Sequence, residues 1–116
     1  MEIDSEVTDN GLLIVALKGR MNLQDLQQIE TKFKALIKDH RAVIVDLSGL
    51  QFLFSMGLRT LILAAQMLQQ KGGRLVLMMP TENVAAVLTA SGTTKLMPVY
   101  MNRAEAKAAV LLRSEV

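Results

Sequence analysis

The stretch "DLSGLQFLFSMGLR", Asp46 to Arg59, decides the fold. It continues "AVIVDL", Ala42 to Leu47, an unbroken apolar run of strand length, which reads as a strand covered on both faces. Ser48-Gly49 reads as the turn by which the chain leaves that strand, with Asp46 accepting backbone N–H bonds inside it. From Met56 the apolar residues recur at helical spacing as far as Lys71, where Gly72-Gly73 supply a C-terminal stop. Ser55 stands where an N-cap is wanted. A buried strand that hands over to a helix is the repeating unit of an α/β fold.

Working outward, "EIDSEV" and "LLIVALKG" read as two strands around Asn10-Gly11, residues that tolerate the positive φ of a hairpin turn. The next segment spaces Leu23, Leu26, Ile29, Phe33, Leu36 and Ile37 as one helix face, with Asn22 as N-cap. Downstream, Arg74 to Met79 is a second buried strand, ended by Pro80. A helix through "ENVAAVLTA" is capped by Gly92, and a short strand, Leu96 to Tyr100, is placed at an edge by Pro98. Asn102 with Glu105 opens a last helix that ends near Leu112. The order β-β-α-β-α-β-α-β-α predicts one α/β domain over residues 1–116. It would be a single mixed β-sheet with a β-hairpin start, followed by β-α-β-α-β-α units, with helices packed on the sheet.

Composition narrows the function. The 116 residues are 51% hydrophobic with a formal charge of +2, which describes a globular chain able to bury a core. No apolar run approaches the roughly 18 residues of a membrane span, and the acidic opening lacks a secretory layout, so a cytoplasmic protein without membrane insertion is expected. The absence of cysteine removes disulfides, thiol nucleophiles and thiolate metal sites. Basic residues are scattered, and the aromatic residues are Phe33, Phe52, Phe54 and Tyr100, too few for base stacking; nucleic acid is not an expected partner. No phosphate loop, dinucleotide fingerprint or metal-ligand spacing occurs. His40 lies in a polar helix-to-strand turn, where a solvent-facing loop residue is the simpler reading. The expectation is a non-enzyme with no cofactor, no metal and no catalytic residue.

A positive indication comes from the helix after Ser55. Leu58, Leu61, Ile62, Ala65 and Leu68 share the face that should cover the sheet, while Met56, Thr60, Leu63 and Met67 form a second stripe on the other side. Arg59, Gln66 and Gln70 flank that stripe as a rim. Either a neighbouring element covers it or it is a contact surface, for which methionine is well suited.

A strand ending Asp46-Leu47-Ser48-Gly49, an apolar pair and then Ser55-Met56-Gly57-Leu58 opening a helix resembles the STAS domain, in particular the bacterial anti-sigma factor antagonists. "LKGRMN", "KGGRLVL" and "LTASGTTKLMPVYMNRAEA" extend the likeness over nearly the whole chain. The resemblance implies a protein-interaction switch. The unmodified antagonist binds an anti-sigma factor, often a histidine-kinase-like serine kinase, and so frees a sigma factor; phosphorylation of a serine at the start of the second helix breaks the complex, and a phosphatase restores it. In this chain the acceptor place, directly before Gly57, holds Met56. The acidic place two residues earlier holds Phe54, and the aspartate of the earlier stretch is Asn22. Ser55 is then a displaced phosphorylation candidate, or the antagonist is one that is not phosphorylated. The partner is expected on Ser55, Met56, Gly57, Arg59, Thr60, Leu63 and Met67, and self-association into a homodimer is left open. The resemblance also admits a second role, as a non-phosphorylated STAS subunit of a membrane transport complex of the lipid ABC type.

Overall fold

The structure is a computed structural model that describes residues 2–8 and 10–112. Strands β1 (Glu2–Val7) and β2 (Leu13–Arg20) form the hairpin. A short 3-10 turn over Leu23–Asp25 leads into α1 (Leu26–Ile37), and β3 (Ala42–Phe52), α2 (Ser55–Gln70), β4 (Arg74–Met78), α3 (Glu82–Ser91), β5 (Val99–Tyr100) and α4 (Arg103–Leu112) follow. The five strands lie in sequence order in one sheet. β1 is antiparallel to β2, and every later pair is parallel. This is the mixed sheet expected from the sequence.

The two-residue period of the strands sorts the core into two layers. Leu13, Val15, Leu17, Val43, Val45, Leu47, Leu75 and Leu77 face α1, α2 and α3. Leu12, Ile14, Ile44, Val76 and Met78 face the opposite way and meet Ala106 and Val110 of α4. One sheet face thus carries three helices and the other carries one. Lys71, just past α2, donates through Nζ to the carbonyls of Ile37 (2.8 Å) and Lys38 (2.7 Å), which ties the end of α2 to the end of α1. Gly72 has the left-handed φ of +79° that ends α2 as the sequence predicts.

Several boundaries differ from the sequence reading. β3 does not end at Ser48-Gly49: it runs five residues beyond Leu47, pairing Lys18 with Gly49, Gly19 with Leu50 and Arg20 with Phe52 across a register shift. The Asp46 carboxylate does accept the Ser48 N–H at 2.9 Å, but inside the shifted strand and not in a terminal turn. Leu23, expected on the core face, is 68% exposed. Asp25 accepts the Asn22 N–H at 3.0 Å and tightens the entry to α1, turning Leu23 outward. β4 stops at Met78 because Met79 turns into the left-handed region at φ +52° before Pro80. β5 is reduced to two residues, since Pro98 has no N–H to offer the ladder and contributes its carbonyl to the Leu77 N–H instead.

Candidate functional site

The long β3 delivers the chain to α2 through Leu53, which is buried, and Phe54, half-buried against the same core layer. Phe54 has extended backbone angles and accepts the Leu58 N–H at 3.0 Å, so Phe54 is the N-cap and Ser55 the first helical residue. The sequence expectation of Ser55 as the cap is therefore corrected by one position. The apolar anchor of Leu53-Phe54 fixes where the helix begins, and the serine is carried past the cap onto the surface. The first-turn N–H groups of residues 55 to 57 have no acceptor within the helix and leave partial positive charge there.

Ser55 and Met56 are exposed, whereas Gly57 is buried. A Cβ at position 57 would run into the Met21 thioether and come within 3.2 Å of Leu53 Cδ1. Gly57 thus serves the fold by letting α2 close on Met21, and it offers no side chain to a partner. The contact brings the "LKGRMN" stretch at the end of β2 to the start of α2, two segments the sequence analysis singled out separately.

Further along α2 the second stripe divides. Met56 and Leu63 are each 43% exposed and Met67 40%, but Thr60 is only 5% exposed. The expectation that Thr60 belongs to an open face is corrected: α1 lies against that side of α2. The Thr60 hydroxyl donates to the Met56 carbonyl (3.2 Å) and lies 3.4 Å from a Glu30 carboxylate oxygen. The exposed residues of α2 are Ser55, Met56, Arg59, Leu63, Gln66, Met67, Gln69 and Gln70. Leu63 and Met67 also edge a shallow groove of about 60 Å³ against Phe33, Lys34 and Ile37 of α1. The α1 side of this groove was not singled out in the sequence. Phe33 and Ile37 belong to the apolar spacing of α1, and which helix lies beside which is a tertiary fact that periodicity does not carry.

The groups considered for chemistry are placed elsewhere. His40 is half-buried with Nδ1 3.4 Å from the Gly11 carbonyl, far along the chain from α2. Among the described residues no three His, Cys, Asp or Glu side chains gather as a metal-holding group. Among them, too, no helix is long and apolar enough to cross a membrane. The Asp4 carboxyl is held below its ordinary pKa by the hydrogen bond and charge of Lys18, 3.0 Å away, and Lys18 is raised by the same pairing. The pair joins β1, the edge strand, to β2 and lies apart from the α2 surface. What the α2 surface offers is binding: flexible apolar side chains, a cation and exposed first-turn N–H groups.

The family model for the STAS domain matches residues 2–106. The chain is 37% identical over 101 residues to BtrV of Bordetella bronchiseptica, a candidate anti-sigma factor antagonist, spanning 86% of this chain and 87% of that one. It is 29% identical over 98 residues to an anti-sigma F factor antagonist of Paenibacillus polymyxa, spanning 83% and 84%. The crystal structure of an anti-sigma factor antagonist from Mycobacterium paratuberculosis superposes with a TM-score of 0.82 at 25% identity, over 95% of each chain.

Proposed function

The chain belongs to the STAS domain family, and from that premise we propose that it is an anti-sigma factor antagonist, a non-enzymatic binding module that captures an anti-sigma factor and so frees a sigma factor for transcription. The observation that carries this reading is the likeness to BtrV across almost the full length of both chains. The open face of α2 supports it, because half-exposed Met56, Leu63 and Met67 give an apolar surface without a covering element among the described residues.

The partner is an anti-sigma factor of the histidine-kinase-like serine kinase type, acting in the cytoplasm, and it docks on Ser55, Met56, Arg59, Leu63 and Met67. Control by phosphate takes an altered form. Met56 fills the acceptor place and has no hydroxyl to modify. Ser55 is exposed on the first turn of α2 and is the remaining candidate. A phosphate on Ser55 would be held by the first-turn N–H groups while placing a dianion beside the docking face. A phosphatase has a role only if Ser55 is modified.

The test is reconstitution with a sigma factor and its cognate anti-sigma factor. Adding the folded chain to the inhibited pair should displace the sigma factor, read as complex exchange by size exclusion and as recovered transcription in vitro. A folded chain that neither binds the anti-sigma factor nor restores transcription refutes the proposal.

A further inference from the structure

The groove between α1 and α2 carries an inference that rests on the antagonist reading and adds the chemistry of its occupant. Its walls are apolar at Phe33, Ile37, Leu63, Ala64 and Met67, Glu30 and Thr60 line it where they meet each other, and Lys34 stands at its α1 lip. Arg59 is exposed one turn before Leu63, on the same side of α2 as Met56. Lys32 lies on another flank of α1, beside Gln28 and Thr31, so around the groove Lys34 and Arg59 stand against the single carboxylate that α1 and α2 carry, Glu30. That carboxylate is half-buried and turned to the Thr60 hydroxyl. The ion pairs among the described residues are Lys18–Asp4 and Arg103–Glu6, so neither Lys34 nor Arg59 is neutralised by them.

Size and charge then define what fits. A volume of about 60 Å³ admits one branched or aromatic side-chain end; small-molecule sites are usually about 300 Å³ or more. The flexible Met67 thioether can close around such a knob. A second copy of this chain presenting the same face would oppose Lys34 and Arg59 with like charges. We propose that the groove receives a single apolar side chain from an acidic amphipathic helix of the partner, whose flanking carboxylates meet Lys34 and Arg59. This is helix-in-groove recognition with a charged rim, in which the apolar anchor supplies affinity and the rim supplies approach and selection.

The test uses three synthetic helical peptides with one leucine anchor and a polar face of glutamate, glutamine or lysine. They are titrated against the isotopically labelled chain at low and high salt. The glutamate peptide should bind most tightly, weaken as salt rises, and shift the amide signals of Lys34, Thr60, Leu63 and Met67. The double variant K34E/R59E should lose roughly tenfold in affinity for it and gain affinity for the lysine peptide, while Leu63→Asp should abolish binding of all three. Equal binding of the three peptides, or signal changes away from the groove, would overturn the proposal. So would a dimer in sedimentation that Leu63→Asp dissolves, or displacement of the glutamate peptide by single-stranded nucleic acid. If K34E/R59E still frees the sigma factor at native efficiency, the acidic occupant is wrong and the antagonist reading stands. If the native chain seats the glutamate peptide in the groove yet frees no sigma factor, the groove chemistry stands and the antagonist reading falls.

Discussion

At the scale of single residues, the start of α2 shows how side chains of opposite character share three consecutive positions. Gly57 is fixed by what lies beneath it. Gly57→Ala should destabilise the fold by about 1–3 kcal/mol through overpacking against Met21, measured by urea denaturation, and the double variant with Met21→Ala should lose less than the two single losses added together, because the shortened side chain no longer meets the new methyl. Equal stability of Gly57→Ala and the native chain would show that α2 closes less tightly than described. Met56 is half-exposed, so Met56→Ser should fold normally. It should also become a substrate for a cognate serine kinase, with intact mass showing one added phosphate that survives Ser55→Ala. Unchanged mass would mean that the acceptor place is recognised by more than its hydroxyl. The Asp4–Lys18 pair gives a pH signature with a definite sign. Asp4 is depressed in the folded state, so its contribution is present above the unfolded carboxylate pKa and is lost as pH falls through the folded value. Lys18 is raised, so its contribution is complete below the unfolded lysine pKa and is lost as pH rises through the folded value. Replacing Lys18 by methionine should therefore lower thermal stability slightly at neutral pH and converge with the native chain in acid; a difference that grows in acid would reverse the assignment. The sequence made the Asp46 bond legible because an aspartate two residues before a free N–H is a local pattern. It left the Ser55 cap off by one, because the choice between Phe54 and Ser55 depends on Phe54 finding the core.

At the scale of elements, α2 carries two faces with different obligations. Leu61 is sealed against the sheet, and Leu61→Ala should lose about 2–5 kcal/mol of stability. Leu63 is half-open, and Leu63→Ala should stay within about 0.5–1 kcal/mol of the native chain while weakening the anti-sigma factor complex. Chemical denaturation and binding titration of the two variants side by side separate the faces, and a Leu63→Ala loss as large as that of Leu61→Ala would make the stripe part of the core. The apolar period identified both faces. Assigning Thr60 to the open one failed because α1 covers the flank at position 60 and leaves Leu63 and Met67 as its lip. The extension of β3 was illegible for a related reason. Ser48-Gly49 is a turn signal in isolation, and only pairing with Lys18 and Gly19 keeps that segment in the sheet.

At the scale of the whole molecule, the alternation of strands and helices made the architecture legible, since parallel strands require crossovers and the runs are long enough to read. The unequal covering of the sheet was not, because which face a helix takes depends on connection geometry and not on its own pattern. It has a direct consequence for stability. Among the described helices α4 is the one that closes the layer of Leu12, Ile14, Ile44, Val76 and Met78, so a chain stopped at Asn102 should bind a hydrophobic dye strongly and precipitate at concentrations where the full chain is clear; a clear, dye-silent truncation would show that layer to be dispensable. The two edges of the sheet are built differently from its middle. β1 sets Glu2, Asp4 and Glu6 at alternate positions, and β5 is two residues long behind Pro98. Identical chains stacking in register along β1 would align carboxylate over carboxylate, and β5 is too short to seed a ladder. A chain that leaves Met56, Leu63 and Met67 half-exposed on α2 is thereby protected from fibre growth through its sheet edges, a route open to sticky β-sheet proteins held at high local concentration.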